Sequence, residues 1–212
     1  MTCIDRSEIS ALILAGGRAQ RMEGCDKGLV ELRGQPMICH VIDVLAPQLD
    51  LIRINANRNQ ATYAALGCSN SPASHATEQP FEVISDSMSD YQGPLAGIAQ
   101  GLQSCTTPWM LVTPCDTPFL PHDLLERMAV QAVQQQADIA VAHDGQRLQP
   151  VVSLIKRELF ASLQNYLTGG DRKIDRWYAN HNWCRVDFSD QPEAFLNVNT
   201  LKDKQLLESH AV

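Results

Sequence analysis

The chain has 212 residues, of which 44% are hydrophobic and 19% are charged, and its formal net charge is −7. This composition is typical of a soluble globular protein, and the acidic balance argues against nucleic-acid binding, which needs a basic face. No apolar run approaches the roughly 20 residues that span a bilayer, and the N-terminal segment is unlike a signal peptide. The seven cysteines include no Cys-x-x-Cys pair, so we expect a reduced, cytoplasmic protein without a structural zinc site.

Apolar runs alternate with segments of helical periodicity along the first two thirds of the chain. In chain order they predict a strand over 10–14, a helix over 36–49, a strand over 51–55, a helix over 58–66, a strand over 81–85, a helix over 94–105, a strand over 109–112, a helix over 121–136 and a strand over 139–142. This alternation predicts βαβ units, and hence a Rossmann-like, three-layer α/β/α fold with a mostly parallel central sheet.

The last third of the chain is less regular. It predicts strands over 147–155 and 183–188, a helix over 157–167, and a capping box from Thr200 to Asp203 that opens a final helix. Gly97 and Gly101 are small enough to bring their predicted helix close to the sheet. Residues 69–80 are rich in serine and proline and predict a surface loop. No linker or repeat divides the chain, so we expect one domain over residues 1–212.

Polar or glycine-rich segments follow four of the predicted strands. Residues 14–17 follow the first strand, Asn55 ends the second, Asp86 follows the third and Asp116 follows the fourth. Ligands of open parallel sheets bind beyond the carboxyl ends of the strands. We therefore expect these four segments to meet at one edge of the sheet and to form the site.

The segment over 11–28 combines two glycines with three cations, Arg18, Arg21 and Lys27. Glycines let a backbone approach a ligand closely, so that its amides point at phosphate oxygens. The spacing fits neither the P-loop, which needs Gly-Lys-Ser/Thr after four residues, nor the dinucleotide fingerprint Gly-x-Gly-x-x-Gly. The segment therefore predicts a different kind of polyphosphate site.

This segment resembles the signature of nucleotidyltransferases that join a nucleoside triphosphate to a phosphorylated acceptor. Together with 54–58 (Ile-Asn-Ala-Asn-Arg), 113–118 (Thr-Pro-Cys-Asp-Thr-Pro) and 195–200 (Phe-Leu-Asn-Val-Asn-Thr), it resembles the molybdenum cofactor guanylyltransferase family over nearly the whole chain. The resemblance implies a GT-A-like nucleotidyltransferase fold, with a nucleotide-binding half over 1–120 and an acceptor-binding half over 121–212. It also implies transfer of GMP from GTP to molybdopterin, with Mg²⁺ as cofactor and pyrophosphate as by-product.

The resemblance also implies roles for the phosphate-binding residues. It places Arg21 on the triphosphate, Lys27 beside the transferred phosphoryl group and Asp116 on the metal. Asn199, or Asn197, matches the position that completes the metal site. A carboxylate on a turn stiffened by two prolines suits Mg²⁺, whose other ligands are phosphates and water. Read without the family, Asp116 is equally suited to cap the helix predicted at 121.

Base and acceptor contacts follow from the same resemblance. Main-chain groups of Leu14, Ala15, Gly16 and Gly17 are expected to line the nucleotide pocket. Asn55 and Asp86 are assigned to the base, because a carboxylate can accept from N1–H and the exocyclic amine of guanine; a simple turn is the alternative for Asp86. The residues matched to the acceptor side are Gln149, Arg172, Lys173 and Asn197.

Some features on the acceptor side stay open. A solvated helix end is the alternative for Arg172 and Lys173. Trp177 and Trp183 are candidates either for stacking on a pterin or for ordinary packing. The chain departs from the family at Leu201, where proline is usual, and this change is expected to loosen the turn without removing the site.

The expected partners are therefore GTP, molybdopterin and proteins that insert or receive the molybdenum cofactor, with neither nucleic acid nor membrane. Alternatives are a sister enzyme that uses CTP, a sugar-1-phosphate nucleotidyltransferase of the same fold, and a non-catalytic carrier of the pterin. A carrier would not need Arg21, Lys27 and Asp116 at one edge of the sheet, and sugar-phosphate enzymes carry added domains that a chain of this length lacks.

Overall fold

The computed structural model describes residues 4–16, 26–66, 81–86, 93–200 and 203–205. The described residues contain a seven-stranded sheet and a two-stranded hairpin. In chain order the strands are β1 Ile9–Leu14, β2 Glu31–Leu32, β3 Gln35–Pro36, β4 Ile52–Asn55, β5 Glu82–Ile84, β6 Trp109–Pro114, β7 Ile139–His143, β8 Leu148–Lys156 and β9 Trp183–Asp187. The large sheet has the order β5-β4-β1-β6-β8-β7-β9. Only β8 runs antiparallel to its neighbours, β6 and β7, so the predicted mostly parallel sheet is confirmed.

Helices cover both faces of this sheet, which confirms the three-layer α/β/α fold. They are α1 Met37–Leu45, α2 Gln60–Ala64, α3 Pro94–Ser104, α4 Leu124–Gln134, α5 Phe160–Thr168 and α6 Ile174–Tyr178. The side chains of β1 alternate between two cores: Ala11 and Ile13 pack with α1 and α4, whereas Leu12 packs with α3, α5 and α6. No helix of the described residues is long and apolar enough to cross a membrane.

The order of the strands reverses beside β1. From β1 the chain steps outward through β4 and β5, and it then returns to the other side of β1 to form β6. Leu14 and Pro114 pair at the carboxyl ends of β1 and β6, and the N–H of Cys115 donates to the carbonyl of Leu14 at 3.1 Å. Loops diverge from such a switch point and leave a crevice between them, so this is the expected place for a ligand.

All predicted strands of the large sheet are present, but several bounds differ. The helix predicted over 36–49 ends at Leu45, because Pro47 has no N–H to continue it. The helix predicted from 121 begins at Leu124, after a turn closed by the carbonyl of Pro121. The sequence prediction missed α6 and the β2–β3 hairpin, whose two-residue strands are too short to show alternation. A turn at Arg33 and Gly34, both with positive φ, joins those strands.

The prediction that glycines bring α3 close to the sheet is confirmed. A Cβ at Gly97 would lie 2.5 Å from Oδ1 of Asn55, and one at Gly101 would lie 2.4 Å from Cδ2 of Leu12. Real Cβ atoms essentially never come this close to other atoms, so α3 lies closer to β1 and β4 than residues other than glycine would allow. Gly97 thereby also fixes where the Asn55 side chain lies.

Candidate active site

The carboxyl edge of the sheet joins the segments that the sequence predicted to meet. The N–H of Ala15 donates to the carbonyl of Asn55 at 2.8 Å, and the N–H of Ala56 donates to the carbonyl of Ile84 at 2.8 Å. With the bond from Cys115 to Leu14, these contacts connect the ends of β5, β4, β1 and β6 in one row. The loops that follow these four strands therefore start side by side.

Lys27 lies at the centre of a charged cluster at this edge. Its Nζ is 3.3 Å from Oδ2 of Asp116 and 2.6 Å from Oδ1 of Asn199, residues that are 89 and 172 positions away along the chain. The side chains of Lys27 and Asp116 are 24% and 15% exposed, so the pair is shielded but reachable by a ligand. The ammonium thus connects the loop after β1 with the loop after β6 and with the C-terminal segment.

Backbone contacts hold the C-terminal segment beside Asp116. The N–H of Val198 donates to the carbonyl of Asp116 at 2.9 Å. The carboxylate of Asp203 accepts from the N–H of Thr200 at 2.8 Å, and the hydroxyl of Thr200 accepts from the N–H of Asp203 at 3.1 Å. This reciprocal pair confirms the predicted capping box. Asn199 is fixed from both sides as a result.

The donor set of this cluster suits a divalent cation. A carboxylate oxygen of Asp116 and the amide oxygen of Asn199 converge on one positive charge, the ammonium of Lys27. These are the hard oxygen ligands that Mg²⁺ prefers, and such sites use one or two protein ligands together with phosphates and water. Among the described residues, no group of three or more His, Cys, Asp or Glu side chains is arranged to hold a metal ion.

Two observations bear on the roles of Asp116 and of its neighbour Cys115. The alternative that Asp116 caps α4 is wrong, because Asp123 occupies the N-cap position and the carboxylate of Asp116 faces Lys27. Burial raises the pKa of the neighbouring Cys115 thiol, which therefore stays protonated at neutral pH. A protonated thiol is a poor nucleophile, so the charged side chains of the cluster are better candidates for the chemistry than Cys115.

A second cluster surrounds Asp86. Its Oδ1 accepts from Nδ2 of Asn55 at 3.0 Å, and its Oδ2 accepts from Nδ2 of Asn57 at 2.7 Å. The N–H of Asp86 donates to Oδ1 of Asn57 at 2.9 Å, so Asn57 grips Asp86 twice. The carboxylate is therefore oriented by two amides, one from the last residue of β4 and one from the loop that follows, which a simple turn residue would not need. A Cβ at Gly16 would touch Asn55 and Asn57, so the backbone of Gly16 faces this cluster.

The site prediction missed Asn57, whose only signal in the sequence was its place in a motif segment. Asn57 stands two residues after Asn55 in the segment 54–58 that carries part of the family resemblance. The pattern of a strand ending in Asn-Ala-Asn does not reveal that the second asparagine turns back onto Asp86. That contact depends on the pairing of β4 with β5, which no local sequence feature encodes.

The residues matched to the acceptor lie in three separate places. Gln149 pairs with Ala142 near the start of β8, at the carboxyl edge, and donates to Oδ2 of Asp144 at 2.7 Å. Burial acts to raise the pKa of the Asp144 carboxyl, but bonds from two backbone N–H groups and from Gln149 hold this pKa below its ordinary value. Asn197 is exposed and directly precedes Val198, which is bonded to Asp116.

The basic pair is in the turn between α5 and α6. Arg172 donates to the carbonyls of Leu167 and Asp171 at 3.0 and 2.7 Å, so its guanidinium caps the C-terminal end of α5. Lys173 is exposed beside it. The helix-end interpretation therefore applies to Arg172, and Lys173 is the member of the pair that extends into solvent.

Neither tryptophan is available to stack on a ligand at this edge. Trp177 is fully buried and packs against Tyr178 and His181, with ring centroids 5.6 and 5.2 Å apart. Trp183 begins β9, so it lies at the opposite, amino edge of the sheet. The sequence predictions for Gly17, Arg18, Arg21, Leu201 and the loop at 69–80 fall outside the described residues.

Comparison with known proteins shows which family the chain resembles. Residues 11–184 match the family described as the MobA-like NTP transferase domain. The chain is 53% identical over 200 residues to a molybdenum cofactor guanylyltransferase from Shewanella sediminis, covering 94% of this chain and 95% of the relative. A protein of the same name from Shewanella piezotolerans is 52% identical over 94% of this chain and 91% of its own length.

Solved structures share the fold at lower identity. The molybdopterin-guanine dinucleotide biosynthesis protein A of Archaeoglobus fulgidus superposes with a TM-score of 0.73 at 19% identity, over 94% of this chain and 97% of its own. The 4-diphosphocytidyl-2C-methyl-D-erythritol synthase of Anaerococcus prevotii superposes with a TM-score of 0.72 at 12% identity, over 98% and 97% of the two chains. At these identities the likeness concerns the fold alone.

Proposed function

The chain belongs to the MobA-like NTP transferase family, and we propose that it transfers GMP from GTP to molybdopterin, forming molybdopterin guanine dinucleotide and releasing pyrophosphate. Relatives more than 50% identical over 94% of the chain are named molybdenum cofactor guanylyltransferase. The single observation that carries the proposal is the Lys27 ammonium held between Asp116 and Asn199, beside the switch point of the sheet.

The proposed reaction brings two polyanions together. An oxygen of the acceptor phosphate forms a bond to the α-phosphorus of GTP while the bond from that phosphorus to the bridging oxygen of the β-phosphate breaks, and pyrophosphate leaves. The barrier is therefore largely electrostatic, and fixed positive charges lower it. Lys27 supplies such a charge as a compact ammonium, and Arg21 is proposed to bind two oxygens of the triphosphate as a fork.

Asp116 and Asn199 are proposed to hold the metal ion, which we take to be Mg²⁺. When bound, the ion neutralises and aligns phosphate oxygens. The carboxylate and the amide oxygen present hard ligands from two segments that backbone bonds hold together, so the chain contributes a preformed half of the coordination shell. Lys27 shares these two oxygens and contributes a positive charge on a flexible stem beside them.

The cluster around Asp86 is proposed to select the base. Asn55 and Asn57 leave one acceptor position free on each carboxylate oxygen, which suits two neighbouring donors. Guanine offers this pair as N1–H and the exocyclic amine, whereas adenine and cytosine place an acceptor nitrogen beside their amine. Main-chain groups of Leu14, Ala15, Gly16 and Gly17 are proposed to line the same pocket.

The acceptor half over 121–212 is proposed to bind molybdopterin through four residues: Gln149, Arg172, Lys173 and Asn197. Because an ionised carboxylate only accepts, Asp144 turns the NH₂ of Gln149 toward itself and leaves the amide oxygen of Gln149 for donors of the pterin. Lys173 is exposed and supplies charge for the acceptor phosphate. We propose that the reaction takes place in the cytoplasm, with cofactor-inserting proteins and molybdoenzymes as partners.

The test is to mix purified protein with Mg²⁺, a molybdopterin source and each of GTP, CTP, ATP and UTP, and to measure pyrophosphate and dinucleotide. We expect product with GTP alone and none when Mg²⁺ is chelated. Product with CTP instead would keep the fold and mechanism but identify the sister cytidylyltransferase. Product with a sugar 1-phosphate as acceptor would identify a sugar nucleotidyltransferase. Tight pterin binding without any product would identify a carrier.

A further inference from the structure

The carboxylate of Asp26, the residue directly before Lys27, is held on both oxygens. Its Oδ1 accepts from the hydroxyl of Tyr63 at 2.6 Å, and its Oδ2 accepts from Nδ2 of Asn59 at 3.2 Å. Tyr63 belongs to α2, and Asn59 is the residue that precedes this helix. Two donors from one short segment after β4 are therefore committed to the carboxylate that stands next to the central lysine of the site.

Packing as well as hydrogen bonding holds the Tyr63 side chain at this contact. The side chain is fully buried, and burial raises the pKa of its hydroxyl, which favours the protonated, donating form. A Cβ at Gly28 would lie 2.6 Å from the hydroxyl oxygen and 3.3 Å from the ring. The hydroxyl of Tyr63 therefore contacts the chain on both sides of Lys27, Asp26 before it and Gly28 after it.

The Asn59 side chain bonds to Asp26 and does not cap α2. An asparagine before a helix ordinarily caps it with its side chain. Asn59 instead adopts a left-handed conformation with φ of 51° and makes no side-chain bond to the helix, while its amide donates to Asp26. The start of α2 is therefore arranged around the carboxylate of Asp26.

A free carboxylate at position 26 would compete for Lys27. The two charges are neighbours in the chain, yet the described residues show no ion pair between them, and the Lys27 ammonium faces Asp116 and Asn199 instead. A released carboxylate would attract the ammonium away from those oxygens and would repel phosphates. Holding it at a fixed position keeps the positive charge where the ligand needs it.

We propose that Tyr63 is a positioning residue which, together with Asn59, holds the carboxylate of Asp26 apart from Lys27 and so keeps the Lys27 ammonium on the phosphate-binding side. This role rests on the proposed function, since it acts through the lysine assigned to the phosphates. Tyr63 itself contacts neither substrate nor metal in this scheme.

The test is a double-mutant cycle in which kcat is measured by pyrophosphate release from GTP in the presence of Mg²⁺ and the molybdopterin source. Tyr63→Phe is expected to lower kcat about tenfold, the effect of losing one bond to a charged group, with the KM for GTP changed less than threefold. Asp26→Asn is expected to stay within threefold of the natural protein, because it removes the charge that needs holding. The double variant Tyr63→Phe/Asp26→Asn is expected to recover to the level of Asp26→Asn.

Recovery in the double variant separates this role from simple packing. If Tyr63 only filled space, removing the charge at position 26 would not restore kcat, and a double variant as slow as Tyr63→Phe would overturn the proposal. An unchanged kcat in Tyr63→Phe would overturn it too. Thr107→Val removes a hydroxyl that bonds to Ser10 and to the carbonyl of Trp109 at the other edge of the sheet, and serves as the matched control with unchanged kcat.

A second variant covers the case in which Tyr63→Phe does not fold. Asn59→Gly removes the other donor while keeping the left-handed backbone, so it is expected to fold and to lower kcat threefold to fivefold, again reversed by Asp26→Asn. Failure of the proposed function gives a different result. In that case the natural protein forms no dinucleotide from GTP. If only the present proposal fails, the natural protein is active, but Asp26→Asn does not restore the kcat of the Tyr63 or Asn59 variant.

Discussion

Each edge of the sheet carries a lysine–aspartate ion pair, but only the pair at the carboxyl edge is assigned a part in the proposed reaction. At the carboxyl edge, Lys27 and Asp116 are 3.3 Å apart and come from loops 89 residues apart in the chain, and the Lys27 ammonium also donates to Oδ1 of Asn199. At the amino edge, Lys156 and Asp138 are 2.7 Å apart and join the ends of the neighbouring strands β7 and β8. The shorter pair is the one with no proposed part in the chemistry.

What differs is the backbone that carries each pair. The N–H of Lys156 also donates to the carbonyl of Asp138 at 3.0 Å, so the amino-edge pair continues a ladder of regular sheet bonds. The groups at the carboxyl edge stand on loops that diverge from the switch point, where a ligand can enter between them. The clearest difference between the two pairs is therefore their position in the topology of the sheet. It also provides matched control variants.

The largest expected effect separates the two aspartates. Asp116→Ala is expected to lower kcat about 10³-fold, since it removes both a metal ligand and the partner of Lys27. Asp138→Ala removes a carboxylate that is also paired with a lysine, at the amino edge, and is expected to leave kcat within twofold. Pyrophosphate release at saturating GTP measures both. Equal losses in the two variants would abolish the distinction between the edges.

The two lysines should differ by somewhat less. Lys27→Ala removes one of several positive charges near the phosphates, so we expect kcat to fall about 10²-fold. Lys156→Ala removes an ion pair at the surface, which contributes at most about 1 kcal/mol to stability, and should leave kcat unchanged. Steady-state kinetics together with thermal unfolding checks both statements. A slow Lys156→Ala variant with a normal melting temperature would contradict the account.

Changes at Asp86 should sharpen the comparison within the carboxyl edge itself. Asp86→Asn replaces one acceptor by a donor, so kcat/KM for GTP is expected to fall ~10- to 100-fold, corresponding to about 1.5–3 kcal/mol for bonds to a charged group. The kcat at saturating GTP should change much less, because other residues, among them Lys27, are proposed to bind the phosphates. Competition between GTP and the other nucleotides should show reduced preference for guanine. Asn57→Ala is expected to give the same pattern at about half the free energy.

The two glycines of α3 give a comparison based on packing. Gly97→Ala and Gly101→Ala introduce similar overlaps, and each is expected to lower the free energy of unfolding by about 1–3 kcal/mol. Only Gly97→Ala pushes on the amide of Asn55, so only that variant should raise the KM for GTP. Denaturant unfolding and kinetics on the same preparations test this, and a raised KM in both variants would argue against a specific role for Asn55.

The smallest effect concerns pH and the amino edge. Burial lowers the pKa of His181, although the charge of Asp138 opposes this shift, so the folded protein binds fewer protons there than the unfolded chain. Stability is therefore expected to decrease as pH falls below about 6.5, the ordinary pKa of histidine. Urea unfolding between pH 5 and 7.5 should show a shallower decrease for His181→Gln. A decrease of the same steepness in both proteins would show that His181 is not its source.

The sequence predicted the scaffold well, because the signals for it are local. Each apolar run of the large sheet became a strand, and the glycines of α3 pack as expected because their size alone determines how closely a helix can lie. The helix ends were predicted poorly, since Pro47 and Pro121 act through backbone geometry that periodicity does not register. The β2–β3 hairpin was missed because two-residue strands carry no pattern.

The site was predicted as a set of segments and not as a set of contacts. That Asp116 follows a strand is visible in the sequence, but that Lys27 lies between Asp116 and Asn199 depends on three loops meeting in space. Asn57 and Tyr63 act by turning toward carboxylates on other segments, and residue type alone does not reveal such directions. Trp177 was a candidate for stacking because aromatic rings suit both cores and ligands, and only its burial decides between the two.

Hydrogen–deuterium exchange of the backbone, with and without GTP and Mg²⁺, tests most directly whether the nucleotide binds at the carboxyl edge of the sheet. We expect slower exchange at the carboxyl edge, around residues 14–16, 55–57, 84–86 and 115–116, and unchanged exchange at the amino edge, around 107–109, 138, 156–157 and 181–183. Protection at the amino edge, with none around Asn55 and Asp116, would contradict this expectation.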